Sequence, residues 1–453
     1  MAAGREFWSG RGGFILANVA SAVGLGSIWK FPYEVGTNGG GAFVFCYLVG
    51  LALIVLPLML AELVLGRAGR SDAVRSLATV AAHAGASTRW SMFALLGVVT
   101  GFLVLSFYSV IGGWAIAYLV DTILTGLPTA HVMTAQTRFD ALLSSPVRLL
   151  FYHLVFMTMT AIIVARGITS GIEEASKLLM PCLALLIAAL ALYSAVQGDF
   201  TATIRYLFAF DIALITPKIA LDALGLGFFS IGVGFSMMIT YAAFARPDIN
   251  LRQVAILTIV ADTAISLLAG FAVFPIVFAE GLDPSSGPGL VFVTLPLAFA
   301  RMPFGTVAAG AFFLLLVVAA LGSAISLLEL TTAPLKNALN WSQARASCVC
   351  ATACWTLGVA TVLSFNLWAG WFPLGALPLF AKATFFDVLD HLTSNLLLPI
   401  AGFGLAFFVG WIVPETFLSD QLGLEGAALG GLRFLLRYVV PGGIAAATIA
   451  PFF

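Results

Sequence analysis

Runs of about twenty apolar residues recur along almost the whole chain, the length of helix that a hydrocarbon layer about 30 Å thick requires. Read in windows of that size, the 453 residues give eleven spans: 12–35, 41–65, 91–124, 147–166, 174–196, 214–244, 252–279, 306–337, 346–366, 385–412 and 431–451. Charged residues make up only 9%, against roughly 25% in soluble domains, so most of the surface is solvated by lipid. Backbone exposed to lipid must satisfy its own hydrogen bonds, and runs of this length do so as helices. The fold class is therefore all-α and polytopic transmembrane, one domain over 1–453. Segments 125–146, 197–213, 280–305 and 367–384 are too polar or too rich in Pro and Gly to cross. Of these, 280–305 holds Gly281, Pro284, Gly287, Pro288 and Pro296 and reads as a structured, hairpin-like loop.

The formal net charge is zero and gives no sign of a nucleic-acid partner. The first apolar run follows Arg5 and Glu6 and continues too far for a cleavable leader. Lys and Arg set the orientation. With the N-terminus cytoplasmic, two-thirds of them, including Arg67, Arg70, Arg75, Arg89, Arg246, Arg345, Arg433 and Arg437, fall on the inner side. Eleven spans then put the C-terminus outside, in a multi-pass protein of the cell's inner (plasma) membrane.

Two spans are interrupted alike. The first contains Ser21-Ala22-Val23-Gly24-Leu25-Gly26-Ser27, and the sixth contains Ser230-Ile231-Gly232-Val233-Gly234-Phe235-Ser236. Each glycine weakens a helix by about 1 kcal/mol relative to alanine. Such glycines also allow close helix packing, but Gly-X-Gly flanked by hydroxyls at mid-span, five spans apart, favours two broken helices. Paired breaks of this kind point to a transport site between inverted repeats, here 12–196 and 214–412, with 431–451 outside the symmetry. Freed carbonyls suit a hard monovalent cation, and freed N–H groups at a half-helix start suit a carboxylate. An amino acid and a sodium ion together match that chemistry.

The run Arg5–Trp8, then Ala20–Pro32, Asn38–Phe43, Pro57-Leu58 with Glu62 and Gly66-Arg67, Gly112–Trp114, Phe228–Ser230, Thr240-Tyr241 and Asp387–Asn395 resembles the neurotransmitter:sodium symporter family. The resemblance covers nearly the whole chain and is nearest to the bacterial amino-acid branch with the LeuT fold, especially its eleven-span, multi-hydrophobic type. It implies a 5+5 inverted repeat with spans 1 and 6 unwound, and sodium-coupled symport into the cell by alternating access. It implies no enzyme and no obligate protein partner beyond the lipid bilayer. A sensor on the same fold, or a transporter narrow for one amino acid, is the competing reading.

Carried over residue by residue, the resemblance implies two sodium ions. The first would be held by Ala22, Ser27, Ser230 and Asp262 with the substrate carboxylate; serine replaces asparagine at 27, and aspartate replaces asparagine at 262. The second would be held by Ala20, Val23, Ala319 and Ser323, with Gly322 standing where the family has a hydroxyl. Asp262 is a mid-membrane carboxylate, which costs at least a few kcal/mol and marks a functional candidate. Chloride-requiring relatives are neutral there and carry a glutamine at the position of Leu226. We therefore expect Asp262 to supply the charge and transport to need no chloride; pairing with a neighbouring helix is the alternative.

Gly24 stands where amine-transporting relatives carry aspartate, which leaves room for the substrate's own carboxylate. Leu25 and Gly26 amides with the Tyr108 hydroxyl would bind it, and carbonyls near Ala22, Phe229 and Ser230 would take the ammonium. The side-chain pocket would comprise Val104, Tyr108, Phe229, Gly232, Phe235, Ser323 and Leu327. It is apolar, and Gly232, where relatives with a smaller pocket have serine, should enlarge it for aliphatic and aromatic substrates such as leucine and tryptophan. Lys30 and Asp390 fall on the outer gate, with Phe235 as the aromatic lid. Arg5 and Trp8 match the inner gate, but the expected aspartate is Asn337 and the tyrosine is Phe244, so Arg5 either pairs elsewhere or latches weakly. Gly171 and Pro181 match a motif for unwinding the fifth span; a fixed proline kink is equally compatible with the residues. Glu62 is assigned to anchoring between helices, while Glu329 and Asp222 have no assigned partner.

Overall fold

The computed structural model describes residues 7–127, 132–284 and 289–449. Within them every regular element is helical. Among the described residues nine helices are long and apolar enough to cross a membrane. In chain order they are α3 (Gly41–Gly69), α5 (Thr88–Thr125), α7 (Pro146–Ala165), α8 (Ile168–Gln197), α12 (Leu251–Ala279), α14 (Gly305–Leu339), α15 (Gln343–Ser364), α16 (Phe385–Ile412) and α18 (Gly426–Ile449). A tenth span is the pair α1 (Arg11–Ala22) and α2 (Gly26–Thr37), bent by 52° at its break. At the sixth expected span lie α10 (Pro217–Ile231) and α11 (Met237–Ala242), each too short to cross alone and parted by a turn. Shorter helices are α4 (Ala73–His83), α6 (Val132–Leu143), α9 (Phe200–Phe208), α13 (Leu290–Ala300) and α17 (Glu415–Leu422).

The windows read from sequence fall on these helices, with ends that differ by a few residues. The fifth is the largest difference: its helix begins at Ile168 with a π-helical turn over Ile168–Glu173 rather than at 174. The hairpin-like reading of 280–305 gives way over Leu290–Ala300 to a helix whose residues 290–299 are almost wholly buried. Gly287 and Pro288 of that segment lie outside the described residues.

Burial follows the bilayer logic. In α14, 89% of the most apolar window is buried, whereas in α7 and α8 the share is 33%. The first is a central helix, and the others show much of their surface to lipid. Glycines permit the closest contacts around the centre. A Cβ at Gly97 of α5 would lie 2.7 Å from the Phe235 carbonyl oxygen, and one at Gly66 of α3 would lie 2.2 Å from that of Ile239. The broken sixth span is thus gripped on two sides by full-length helices.

Candidate functional site

The first break begins where Val23 leaves the helix with φ −74° and ψ 108°, and α2 resumes at Gly26. The second break is more contorted. Gly232, Gly234 and Ser236 take positive φ of 75°, 88° and 68°, conformations that favour glycine and strain most other residues. Its exposed backbone finds a partner in α3: the Gly234 N–H donates to Glu62 Oε1 at 2.5 Å, with Glu62 fully buried. That is the inter-helix anchor expected of Glu62. In lipid an unwound turn persists only when its polar groups are satisfied inside the protein.

The two breaks face each other. A Cβ at Gly26 would lie 3.1 Å from Ser230 Cα. Between them is a cavity of about 30 Å³ lined by Ala22, Gly24, Gly26, Val104, Tyr108, Phe229, Ser230, Phe235, Ser323 and Leu327, together with Ser21 and Met237. Of the residues named from sequence for substrate, only Leu25 and Gly232 do not line it. Leu25 remains attached to it, because its N–H donates to the Tyr108 hydroxyl at 3.2 Å. A Cβ at Gly24 would fall 2.3 Å from Ser323 Oγ and 2.8 Å from the Tyr108 oxygen, so this position admits no side chain without movement.

Met237 was invisible to the sequence reading and alters it. A Cβ at Gly232 would lie 2.2 Å from Met237 Cε. The space expected from a missing side chain is therefore filled by a thioether, held at its sulfur by Ser21 Oγ at 3.8 Å. Methionine is unbranched and readily rearranged. The only signal in sequence was a long apolar residue just after the break.

Beside the cavity, Asp262 is fully buried and collects hydroxyls from three elements. Ser27 Oγ of α2 donates at 2.5 Å, Ser230 Oγ of α10 lies 3.1 Å from Oδ1, and Tyr47 of α3 donates to Oδ2 at 3.1 Å. Ser27 and Ser230 are themselves 3.0 Å apart. Tyr47 was not named from sequence, since a tyrosine in an apolar span gives no hint of a partner more than 200 residues away. On the opposite side, Ser323 Oγ of α14 donates to the carbonyls of Ser21 at 3.2 Å and Val23 at 3.4 Å. Ala319 and Ala20 are buried alongside. The missing hydroxyl at Gly322 has a steric counterpart: a Cβ there would meet the Ala20 carbonyl oxygen at 2.7 Å.

On the other side of Phe229 lies a larger cavity of about 620 Å³ that includes Lys30, Glu34, Lys218 and Asp222. Lys30 Nζ lies 4.9 Å from the centre of the Phe229 ring. The structure does not bring Lys30 and Asp390 to ion-pair distance; Asp390 instead accepts from Ser394 Oγ at 3.2 Å. Asp222 pairs with Lys218 at 2.5 Å, and Glu329 accepts from Gln343 Nε2 at 2.6 Å.

At the other end Trp8 is buried, its Nε1 donating to the Tyr241 carbonyl at 2.9 Å and its N–H to that of Phe244 at 3.2 Å. Arg5 lies outside the described residues. Asn337 donates to Asp72 Oδ2 at 2.8 Å, and Asp72 also caps α4 by accepting from the Arg75 N–H. Gly171 sits in the π-helical turn of α8, packed so that a Cβ would lie 2.2 Å from the Ile163 carbonyl oxygen. Pro181 lies within α8, which continues through it. Glu173 in the same turn accepts from the Ser9 N–H at 2.9 Å and from Lys177 at 3.0 Å, tying the start of α8 to the N-terminal segment.

An all-helical membrane bundle with two facing broken helices, a small cavity between them and oxygen-rich clusters on both sides of it defines a membrane transport protein. Sequence comparison agrees: residues 5–141 and 143–388 match the sodium:neurotransmitter symporter family. The chain is 34% identical over 439 residues to a sodium-dependent transporter of Bacillus subtilis, YhdH, covering 96% of this chain and 95% of that one. It is 31% identical over 445 residues to a sodium-dependent transporter of Haemophilus influenzae, with 96% of each covered. Among solved structures it matches MhsT in complex with L-phenylalanine at a TM-score of 0.89 and 38% identity, covering 99% of this chain and 100% of that one. The chain belongs to the sodium:neurotransmitter symporter family and has the LeuT fold.

Proposed function

We propose that the protein is a chloride-independent symporter that carries hydrophobic L-amino acids into the cell with sodium, working by alternating access. The observation that carries this reading is the closure around Gly24. With Ser323 and the Tyr108 hydroxyl where a Cβ would be, the chain supplies no carboxylate at this point. The Leu25 N–H and the Tyr108 hydroxyl are left to meet one brought by the substrate. Elsewhere the cavity is walled by Val104, Phe229, Phe235, Met237 and Leu327, which suits an uncharged side chain. The solved relative's bound L-phenylalanine supports the same class.

In this reading Ser27, Ser230, Asp262 and the Ala22 carbonyl hold one sodium ion beside the substrate, and Ala20, Val23, Ala319 and Ser323 hold a second. The charge of Asp262 stands in for chloride. Phe235 is the lid, Lys30 and Asp390 close the outer side, and Arg5 and Trp8 the inner. Unwinding at Gly171–Pro181 would release the Ser9–Glu173 tie and admit water to the second ion. The two repeats are 12–196 and 214–412, with 431–451 added, the N-terminus cytoplasmic and the C-terminus outside a plasma membrane. Binding of radiolabelled L-leucine to purified protein tests the site: it should require sodium and be unchanged when gluconate replaces chloride. Binding that is indifferent to sodium contradicts the reading.

A further inference from the structure

Where α16 and α18 cross, two arginines converge on one carbonyl. Gly410 O accepts from Arg433 Nε at 3.3 Å and from Arg437 Nε at 2.7 Å. The crossing is tight because residue 410 has no side chain; a Cβ would lie 2.9 Å from the Leu436 carbonyl group. Arg433 and Arg437 are one helical turn apart, a spacing at which like charges repel. Arg433 also meets Glu415 at 3.3 Å. Among the described residues no carboxylate lies within 4 Å of the Arg437 guanidinium, which rests 5.1 Å from the Trp411 ring. The pair therefore carries surplus positive charge.

That charge stands at the foot of an aromatic column. Phe403, Phe407 and Trp411 stack at successive turns of α16, with ring centres 6.3 and 6.1 Å apart. Tyr438 meets Trp411 edge-on at 5.5 Å, and Phe434 lies 5.4 Å from Tyr438. All five rings are on the outside of the bundle, between 36% and 56% exposed, on helices that cross a membrane. Trp411 Nε1 donates to the Arg437 carbonyl at 3.3 Å, which holds ring and guanidinium in one place.

We propose that this face binds one anionic phospholipid, its phosphodiester held by Arg437, with Arg433, bonded to Gly410, Val413 and Glu415, adding positive charge beside it, and an acyl chain laid along Phe403, Phe407 and Trp411. Guanidinium groups recognise phosphate oxygens in a bidentate way. Basic pockets between transmembrane helices, bordered by Trp and Tyr at headgroup depth, suit anionic lipids. The eight steps from Phe403 to Trp411 rise about 12 Å, matching the headgroup-proximal part of an acyl chain. A phosphate also relieves the repulsion between the two arginines. A second copy of the chain fits less well, since it would bury guanidinium surplus with no matching carboxylate.

The test is tryptophan quenching in nanodiscs of phosphatidylcholine doped with acyl-brominated phosphatidylglycerol or with equally brominated phosphatidylcholine. The Trp411 contribution is isolated as the difference between wild type and Trp411→Phe. Its quenching should be severalfold stronger with the brominated glycerol lipid. That preference should vanish in Arg433→Gln/Arg437→Gln and persist in Arg433→Lys/Arg437→Lys. Equal quenching by the two lipids in the wild type overturns the site, whatever the folding of the variants. A preference that survives the double glutamine variant also overturns it. Absence of quenching by either lipid, with a dimer in light scattering, overturns it in favour of a second copy.

Discussion

Met237 Cε occupies the space next to Gly232, 2.2 Å from where a side chain at that glycine would begin. The break in the sixth span therefore carries its own movable filler. Met237→Ala should empty that volume and shift the competition between L-tryptophan and L-valine towards tryptophan by on the order of tenfold, the size of effect that one or two methylenes make in a hydrophobic pocket. Met237→Ile, stiff at χ1, should shift it the other way. Inhibition of radiolabelled leucine uptake by each amino acid measures the ratio.

How far the sequence reaches is clear from this pair. The glycines announce a break because Gly-X-Gly recurs at mid-span beside hydroxyls five spans apart, whereas the cavity wall could be named only because the family resemblance carries it over position by position, Val104, Tyr108, Ser323 and Leu327 lying on other helices. Met237 and Tyr47 were missed because their roles depend on tertiary contacts that no local spacing encodes. The same holds for Asp72, which the structure places against Asn337 across 265 positions. The proposed gate pair differs in another way: the residue types at 30 and 390 suit an ion pair, yet the structure seats Asp390 against Ser394 instead.

Tyr108→Phe removes the hydroxyl that the Leu25 N–H reaches at 3.2 Å. A hydrogen bond to a charged group contributes about 1.5–3 kcal/mol, so the half-saturating L-leucine concentration should rise at least about tenfold. The sodium dependence should keep its shape. Saturation binding at fixed sodium gives the first quantity, and a sodium titration the second.

Asp262→Asn removes the carboxylate that the hydroxyls of Ser27, Ser230 and Tyr47 share. Sodium-driven uptake should fall strongly, and whatever remains should become sensitive to chloride. Uptake by this variant in chloride and in gluconate makes the comparison; residual activity indifferent to chloride speaks against Asp262 as the compensating charge.

Asn337→Asp would set two carboxylates at the 2.8 Å spacing now bridged by an amide donor. It should lower thermal stability in detergent by several degrees, and Asp72→Asn in the same chain should restore most of the loss by exchanging donor and acceptor. A double-mutant cycle on the melting temperature reads the coupling.

The most direct test is uptake of radiolabelled L-leucine into proteoliposomes holding the purified protein, with chloride absent throughout. An inward sodium gradient should drive accumulation above the external concentration, and equal sodium on both sides should allow exchange without accumulation. Accumulation that ignores the sodium gradient, or sodium-dependent binding with no uptake at all, would contradict sodium-coupled amino-acid symport.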